Sequence, residues 1–371
     1  MRGKYAKIFR VADQVKYKTI TIALKEAMFA GRYDAAHPLP SETALMRRFG
    51  ASRHTVQRAI RELQAQGLVV RRQGTGTFLT RKARETRRLA LIVHGSDYCE
   101  IFSPIAREVS HLCQARGYAL LLGDVEFPDP RKRAARVIEL VREYVKQGVD
   151  GVIFQPIELL DDARSLNEEV CSIFDAADVS VVLLDSDITP SPGRSKYDLV
   201  GINHFEAGRR MADHLRAVGA RRVAYLMQTN RAPCVQDRWQ GLKFGCEGLP
   251  LAAKPFLAEP DDLSAVRAFL RRNRPDAIAC YNDRQAAVLV QTLGILGKKV
   301  PSDVLVAGFD DVNYAKLVVP QLTTLHQPCQ EIAQTAVDLL LARIADPALP
   351  PREVFLSAPL VVRDSTKKMR K

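Results

Sequence analysis

Four side chains able to hydrogen-bond to bases or phosphates recur within one short stretch of the sequence: Arg53, His54, Gln57 and Arg61. At about 100° per residue, a helix would place these four on one arc and the intervening apolar residues on the opposite arc. Arginine matches a guanine edge in the major groove and glutamine matches an adenine edge. The pattern therefore predicts a DNA-recognition helix, with the hydroxyls of Ser52 and Thr55 near its N-terminus suited to a phosphate.

Two further helices must hold this helix in place. Apolar residues at helical spacing predict one helix over residues 16–30. Ser41 is expected to cap a second helix that buries Leu45 and Phe49. Gly50 then begins a short turn, and Ser52 caps the predicted recognition helix. A helix, a short turn and a second helix with donors near its start form helix-turn-helix geometry.

A β-hairpin is predicted directly after these helices. The β-rich runs over residues 68–72 and 77–80 flank Gln73 and Gly74, and glycine permits the positive φ angles that a tight turn requires. Basic Arg71 and Arg72 precede the turn, so the hairpin is expected to touch phosphate or the minor groove. A hairpin that makes no DNA contact is the alternative reading.

Charge is distributed unevenly along the chain. Residues 1–88 contain 20 Lys and Arg against 6 Asp and Glu, a net charge of +14, whereas the remainder carries 35 basic and 36 acidic residues. A basic module joined to a neutral one is typical of a protein that binds a polyanion. We place the DNA-binding module at residues 1–82 and a basic linker at residues 83–88.

Composition excludes several classes of protein. The 371 residues are 47% hydrophobic and 26% charged, as in a globular protein of two or three domains. The sequence contains no long apolar run that would cross a membrane and no secretory signal at its start. The seven cysteines are scattered without CxxC spacing, which argues against a disulfide framework or a zinc site. We expect a cytoplasmic protein without membrane contact.

Short apolar strands alternate with amphipathic helices through residues 89–366. Strand-like runs include residues 89–93, 118–123, 151–154 and 277–282. Such alternation predicts a doubly wound α/β architecture with parallel strands. The number of strands is large for one sheet, so we expect two lobes with a cleft between them.

Ligands of open α/β sheets lie beyond the carboxyl ends of the strands. Asp, Asn and Arg offer paired partners for the adjacent hydroxyls of a sugar, and an aromatic ring can cover its apolar face. The candidates for an effector site at these strand ends are Ser96, Tyr98, Phe102, Gln155, Asp185, Arg238, Asn282 and Asp310.

Catalytic motifs are missing from the sequence. It contains no Walker loop, no HExxH and no G-x-S-x-G, and the glycines near residue 75 are too few for a dinucleotide loop. We therefore predict that the protein is not an enzyme and uses no cofactor or metal ion.

The N-terminal segments resemble the GntR family of transcription regulators. The resemblance covers residues 17–80 and rests on LPSE, FGASRHTVQRAIRELQAQGLV and RRQGTGTFL. It implies a winged helix-turn-helix. The positions that correspond to DNA contacts in this family are Thr43, Ser52, Arg53, His54, Thr55, Gln57, Gln73 and Gly74. Gln57 stands where some members carry arginine, so the base preference there is not transferable.

Residues 88–366 resemble the effector domain of the LacI/GalR repressors, a relative of the periplasmic sugar-binding proteins. The markers are YNDRQA, VPSDVLVAGFDD, PQLTTLHQP and LVVRDST. The resemblance implies three crossovers between two lobes, near residues 202–206, 324–327 and 356–360. It singles out Arg238, Asn282 and Asp310 among the effector-site candidates. A GntR-type DNA-binding domain joined to a LacI/GalR-type effector domain resembles the arabinose-responsive repressors.

The combined interpretation is a DNA-binding transcription regulator, in the first place a repressor. It binds a double-stranded operator as a homodimer, under the control of a small effector that we expect to be a sugar. An activator and a purine-responsive regulator remain open. A transport receptor is opposed by the winged helix and by the start of the sequence, and an enzyme is opposed by the missing catalytic cluster.

Overall fold

The computed structural model of the 371-residue chain describes most of its backbone. The described residues are 17–25, 27–28, 33, 38–72, 75–80, 87–94, 100–125, 129–190, 192–227, 232–249 and 255–367.

The N-terminal region is a small helical unit followed by a hairpin. Its elements are α1 (residues 17–25), α2 (Glu42–Phe49), α3 (Arg53–Ala65), β1 (Val69–Arg72) and β2 (Gly76–Leu79). β1 and β2 pair antiparallel. The buried faces of these elements form a separate core that includes Leu24, Leu45, Val56 and Leu63. The winged helix-turn-helix predicted from the apolar spacing is confirmed.

Six parallel strands form the first large sheet, in the order β13–β7–β6–β5–β3–β4. Their bounds are β3 (Arg88–His94), β4 (Ala119–Val125), β5 (Gly151–Phe154), β6 (Ser180–Leu184), β7 (Asp198–Ile202) and β13 (Glu353–Leu356). The helices of this lobe are α4 (Phe102–Ala115), α5 (Pro130–Lys146), α6 (Ala163–Ala176) and α12 (Cys329–Ala345).

Four parallel strands form the second large sheet, in the order β11–β10–β8–β9. Their bounds are β8 (Val223–Met227), β9 (Phe256–Leu257), β10 (Ala277–Cys280) and β11 (Leu305–Ala307). The helices here are α7 (His204–Ala217), α8 (Pro233–Gly245), α9 (Leu263–Asn273), α10 (Asp283–Ile295) and α11 (Asn313–Leu317).

Successive residues of the central strands enter different cores. Leu89 and Leu91 of β3 belong to the largest core cluster, whereas Ala90 and Ile92 belong to a cluster on the other face of the sheet. Strands buried on both faces need apolar residues at every position, because helices cover both sides. The doubly wound α/β class predicted from the alternating strands and helices is confirmed.

The chain passes between the two sheets at the three places predicted. β7 ends at Ile202 and α7 begins at His204 on the way to the second sheet. β12 (Thr324–Leu325) and β14 (Leu360–Val361) form a short antiparallel pair at the other two connections. Functional groups near residues 204, 326 and 358 therefore lie where one lobe meets the other.

Two arginines of the predicted basic linker are attached to the larger region. β3 begins at Arg88, whose side chain donates a 2.7 Å hydrogen bond to the carbonyl of Gln147 and whose backbone N–H donates to Asp150. Arg87 lies 3.6 Å from the other oxygen of Asp150. Residues 81–86 of the basic run lie outside the described residues.

Candidate functional site

The helix α3 presents its polar residues on one side, as its spacing predicts. Arg53, His54 and Arg61 are exposed and Gln57 is half-buried. Val56 and Leu63 on the opposite side are fully buried. The DNA-facing candidates therefore share one surface, and the apolar face holds that surface against α1 and α2.

Local hydrogen bonds fix where α2 ends and α3 begins. Gly50 adopts φ +55° and ψ +39°, the left-handed conformation that favours glycine at a helix end. Ser52 caps α3 by accepting the backbone N–H of Thr55 at 3.2 Å. Thr55 itself is 1% exposed, and its hydroxyl lies 2.7 Å from that of Ser52. The structure thus places Thr55 inside the cap, away from the exposed face, whereas the predicted phosphate contact needs an accessible hydroxyl.

The hairpin extends the basic surface. Arg71 and Arg72 are exposed at the end of β1, and Thr43 is exposed near the start of α2. The predicted contacts Gln73 and Gly74 lie outside the described residues.

A second group of polar residues meets at the junction of the two lobes. His204, at the start of α7, lies with its Nε2 3.1 Å from Oδ1 of Asp185, which follows β6 of the first sheet. Arg238 of α8 donates from Nε to the Nδ1 of His204 at 3.2 Å. An arginine only donates, so Nδ1 must accept, and the neutral His204 ring carries its proton on Nε2 toward Asp185.

Arg238 also connects this group to the second sheet. Its Nη1 donates to the carbonyl of Tyr281 at 2.8 Å, and its Nη2 lies 3.5 Å from Oδ1 of Asp310, which follows β11. Gln327, in the second crossover, donates to the same Asp310 oxygen at 2.8 Å. Asp185, His204, Arg238, Asp310 and Gln327 form one chain of contacts, named here the junction network.

The electrostatics of the junction network keep Arg238 charged. Burial alone would lower the pKa of Arg238, but Asp310 and neighbouring groups raise it above its usual range. Burial would raise the pKa of Asp185, but His204 and Arg238 hold it below its usual value. Glu158 beside them is different: burial and the charge of Asp185 raise its pKa to about 8. The junction thus pairs an ionised carboxylate with a nearby protonated one.

Close approach of α7 and α8 sets the distance between His204 and Arg238. A Cβ added to Gly241 would lie 1.8 Å from the carbonyl oxygen of Phe205, and one added to Gly208 would lie 2.0 Å from that of Arg238. Only glycine lets the two backbones touch in this way.

Two cavities border the junction network. One has a volume of about 1020 Å³ and is lined by Glu158, Asp185, Ser186 and His204 among others. The other has a volume of about 1060 Å³, and its lining includes Asp310 and Gln327. The carbonyl oxygen of the Gln327 side chain is buried without a hydrogen-bond partner among the described residues. A ligand hydroxyl or N–H would satisfy such an acceptor.

The other predicted effector residues that the structure describes are not part of the junction network. Asn282 is 8% exposed and caps α10, accepting the backbone N–H of Gln285 at 2.9 Å. Phe102 is 2% exposed in the main core, so it does not offer a ring to a ligand in this structure, and Gln155 is 5% exposed at the end of β5. Ser96 and Tyr98 lie outside the described residues. The structure thus unites Asp185, Arg238 and Asp310 of the predicted set.

A metal ion does not suit the donor set at the junction. Asp185, His204 and Cys234 each offer one ligand atom, and these atoms lie within 4.8 Å of one another. Nδ1 of His204 is occupied by the Arg238 donor, and the proton on Nε2 blocks the remaining lone pair. The adjacent guanidinium also repels a cation.

Sequence reasoning missed three residues of this region. His204 and Gln327 complete the junction network, and Glu158 accepts a 3.0 Å hydrogen bond from Ser186 at the wall of the first cavity. His204 and Gln327 fall within two of the predicted crossovers, which is the signal that could have singled them out. Glu158 follows a strand end by four residues and had no comparable signal.

Two family models match the chain. Residues 16–79 match the bacterial regulatory proteins of the gntR family, and residues 212–366 match a periplasmic-binding-protein-like domain. The first match spans the helices and hairpin of the N-terminal unit. The second spans the second sheet, the last two crossovers and most of the junction network.

Individual proteins resemble either the whole chain or mainly its larger region. The arabinose metabolism transcriptional repressor of Geobacillus stearothermophilus is 26% identical over 371 positions, covering 95% of this chain and 98% of the relative. A LacI-family regulator of Enterococcus faecium solved with ribose is 23% identical with a TM-score of 0.61, covering 76% of this chain and 100% of that one. The regulator CelR in complex with cellobiose is 24% identical with a TM-score of 0.62, covering 84% and 90%.

Among the described helices, none combines the length and the apolar character needed to cross a membrane.

Proposed function

We propose that this transcription regulator, which joins a gntR-family domain to a periplasmic-binding-protein-like domain, is a repressor whose operator binding is controlled by a small sugar. α3 enters the major groove of the operator and the hairpin lies along the adjacent backbone. The sugar binds at the junction network between the lobes. We place the boundary between these two functional parts within residues 83–88.

The buried pair of Arg238 and Asp310 is the observation that carries the effector half of the proposal. Their side chains are 5% and 4% exposed, and a cavity lies on each side of the network that holds them. A buried ion pair contributes little net stability compared with apolar residues of similar size. Ligand recognition gives a physical reason for placing charged, hydroxyl-binding groups at this depth.

A neutral sugar fits the chemistry of the junction. Carboxylates accept hydroxyl hydrogens, the guanidinium donates to hydroxyl oxygens, and the orphaned acceptor of Gln327 needs a donor. The metabolism named for the Geobacillus relative concerns arabinose. Ribose and cellobiose in solved proteins of this fold indicate that the architecture encloses one or two sugar rings.

One helix provides a physical connection from the effector site to the DNA-binding unit. α12 begins at Cys329, two residues after Gln327, and runs for 17 residues to Ala345, a distance of about 25 Å. The carbonyl of Ala345 accepts a 2.7 Å hydrogen bond from Nζ of Lys25 in α1. A sugar that prefers one arrangement of the lobes would move α12 and thereby the position of α1 to α3.

We further propose that the protein acts as a homodimer in the cytoplasm and catalyses no reaction. Two copies of α3 would read half-sites about one helical turn apart, or a multiple of that. A lobe movement that changes the spacing of the two units would then weaken operator binding. The five residues of the junction network are joined by hydrogen bonds and an ion pair, and none of the five is a serine, cysteine or lysine nucleophile.

A thermal-shift screen of the full chain tests the effector assignment. Pentoses, hexoses, uronic acids and purines are each added, and a ligand at about 100 times its dissociation constant stabilises the protein by about 2.7 kcal/mol. We expect one sugar to raise the melting temperature of the wild type and of the exposed control D261N, but not of D310N. No selective sugar would contradict the assignment, and a selective purine would replace it.

A further inference from the structure

Glu42 is an acid half-buried among donor side chains. It begins α2, within the basic N-terminal unit, and its side chain is only 18% exposed. Three donors from other elements surround its carboxylate. Gln57 of α3 donates from Nε2 to Oε2 at 3.0 Å, Arg53 lies 3.4 Å from the same oxygen, and Arg71 of β1 lies 3.1 Å from Oε1. This carboxylate therefore joins α2, α3 and the hairpin.

The contact with Glu42 determines which way the amide of Gln57 faces. An ionised carboxylate only accepts hydrogen bonds, so the Nε2 group of Gln57 must lie on the Glu42 side. Turning the amide over would set two acceptor oxygens against each other at about the same separation. The carbonyl oxygen Oε1 is therefore fixed on the other side, and one Nε2 hydrogen remains for a second partner.

A fixed amide of this kind matches one purine and not the other. In the major groove, adenine presents the N6 donor beside the N7 acceptor, which pair with Oε1 and the remaining Nε2 hydrogen of a glutamine. Guanine presents two acceptors, O6 and N7. To bind guanine with both of its hydrogens, the amide would have to abandon Glu42.

We propose that Glu42 is a positioning residue that locks the Gln57 amide so that position 57 of α3 selects adenine. The proposal rests on the proposed function, because it assumes that α3 reads the operator. Glu42 makes no base contact in this account. Its charge is tolerated near DNA because Arg53 and Arg71 pair with it and only 18% of its side chain is exposed.

The test begins with the operator that the full-length wild type selects from a random duplex pool. The Gln57-dependent base pair is the one at which Q57A loses discrimination. We expect adenine there, preferred over guanine by about 5-fold to 150-fold in dissociation constant. E42Q keeps the shape of the side chain and removes the fixed acceptor, so this preference is expected to fall to within about threefold.

E62Q is the matched control for E42Q. Glu62 lies on α3, accepts a 3.1 Å hydrogen bond from Gln66 and is exposed, so the substitution removes the same charge from the same unit. Both variants are expected to bind all duplexes more tightly because a negative charge is lost, but only E42Q changes the preference for adenine. Melting temperatures of the three proteins show whether the fold is retained.

Separate outcomes identify what has failed. A G·C pair at the Gln57-dependent position of the wild type overturns the proposal without any Glu42 variant. Full adenine preference in E42Q also overturns it, while operator binding stands. Failure of the wild type to select any sequence would instead contradict the proposed function.

Discussion

The DNA-facing surface of α3 and the junction network both depend on arginine, but in opposite environments. The side chain of Arg53 is 73% exposed, whereas that of Arg238 is 5% exposed. Exposed arginine is hydrated, exchanges partners readily and gains little from any single ion pair. Buried arginine is fixed by several partners and is costly to leave unpaired. In the proposed function, one residue type thus serves two purposes, reversible contact with DNA on α3 and a fixed structure at the junction to which a small ligand binds.

Salt concentration is expected to give the largest difference between the two regions, because it should weaken operator binding strongly and change the stability of the larger region little. An operator complex with 6–10 phosphate contacts loses about 10³-fold to 10⁵-fold in affinity between 50 and 200 mM salt, because counterions compete for the phosphates. The junction network is buried and screened much less. Anisotropy titrations of a labelled operator should show the loss, while denaturant unfolding of the larger region should change by less than about 1 kcal/mol. If salt changed operator affinity and the free energy of unfolding by similar amounts, the two regions would not differ in their electrostatic environment.

Replacing one arginine from each region gives the next largest difference. R238M leaves Asp310 buried without its charged partner and is expected to lower the free energy of unfolding of the larger region by about 3–5 kcal/mol. R53A removes an exposed guanidinium from its pair with half-buried Glu42 and should lower the free energy of unfolding of the N-terminal unit by less than about 1 kcal/mol while weakening operator binding. Chemical denaturation measures both. A loss below 1 kcal/mol for R238M would mean that the pair is not structurally important.

Glycine substitutions test how tightly the junction is built. G241A places a methyl group 1.8 Å from the carbonyl oxygen of Phe205, so α7 and α8 must separate, with a loss of about 1–3 kcal/mol. G294A in α10 meets no atom within 4 Å and should stabilise the protein by about 0.5–1 kcal/mol, because alanine favours a helix. The two melting temperatures are expected to shift in opposite directions. An unchanged melting temperature in G241A would show that the contact between α7 and α8 does not position Arg238.

The pH dependence of stability gives the smallest expected difference. The pKa of Glu158 is raised to about 8 from an ordinary value of 4.5, so the folded state holds a proton that the unfolded state releases. Stability from this group is fully present below about pH 4.5 and is lost as the pH rises towards 8. At about 1.4 kcal/mol per pKa unit the full shift would correspond to a loss of about 3.5 kcal/mol between pH 5 and pH 8, and solvent screening of the half-buried side chain reduces this to about 1 kcal/mol. E158Q should abolish this loss. The exposed E168Q should keep the wild-type profile, and a wild-type profile in E158Q would contradict the expectation.

The same contrast explains what the sequence could predict. Arg53, Gln57 and Arg61 lie on consecutive turns of one helix, so helical periodicity places them on one face without tertiary information. Asp185, His204, Arg238, Asp310 and Gln327 come from five separate segments, and only the packing of two lobes brings them together. Strand-end reasoning located Asp185 and Asp310 because each follows the carboxyl end of a strand. It had no means of predicting that Phe102 turns into the core or that Asn282 caps a helix.

Operator affinity measured with and without a sugar tests the central claim most directly. A labelled duplex selected by the wild type is titrated with full-length protein, alone and with saturating amounts of the sugar that raises the melting temperature. Coupling between two sites is commonly 1–3 kcal/mol, so the account predicts a change of about 5-fold to 150-fold in the dissociation constant of the wild type and none in D310N. An unchanged dissociation constant with a sugar that demonstrably binds would show that the junction does not control DNA binding, and the account would be wrong.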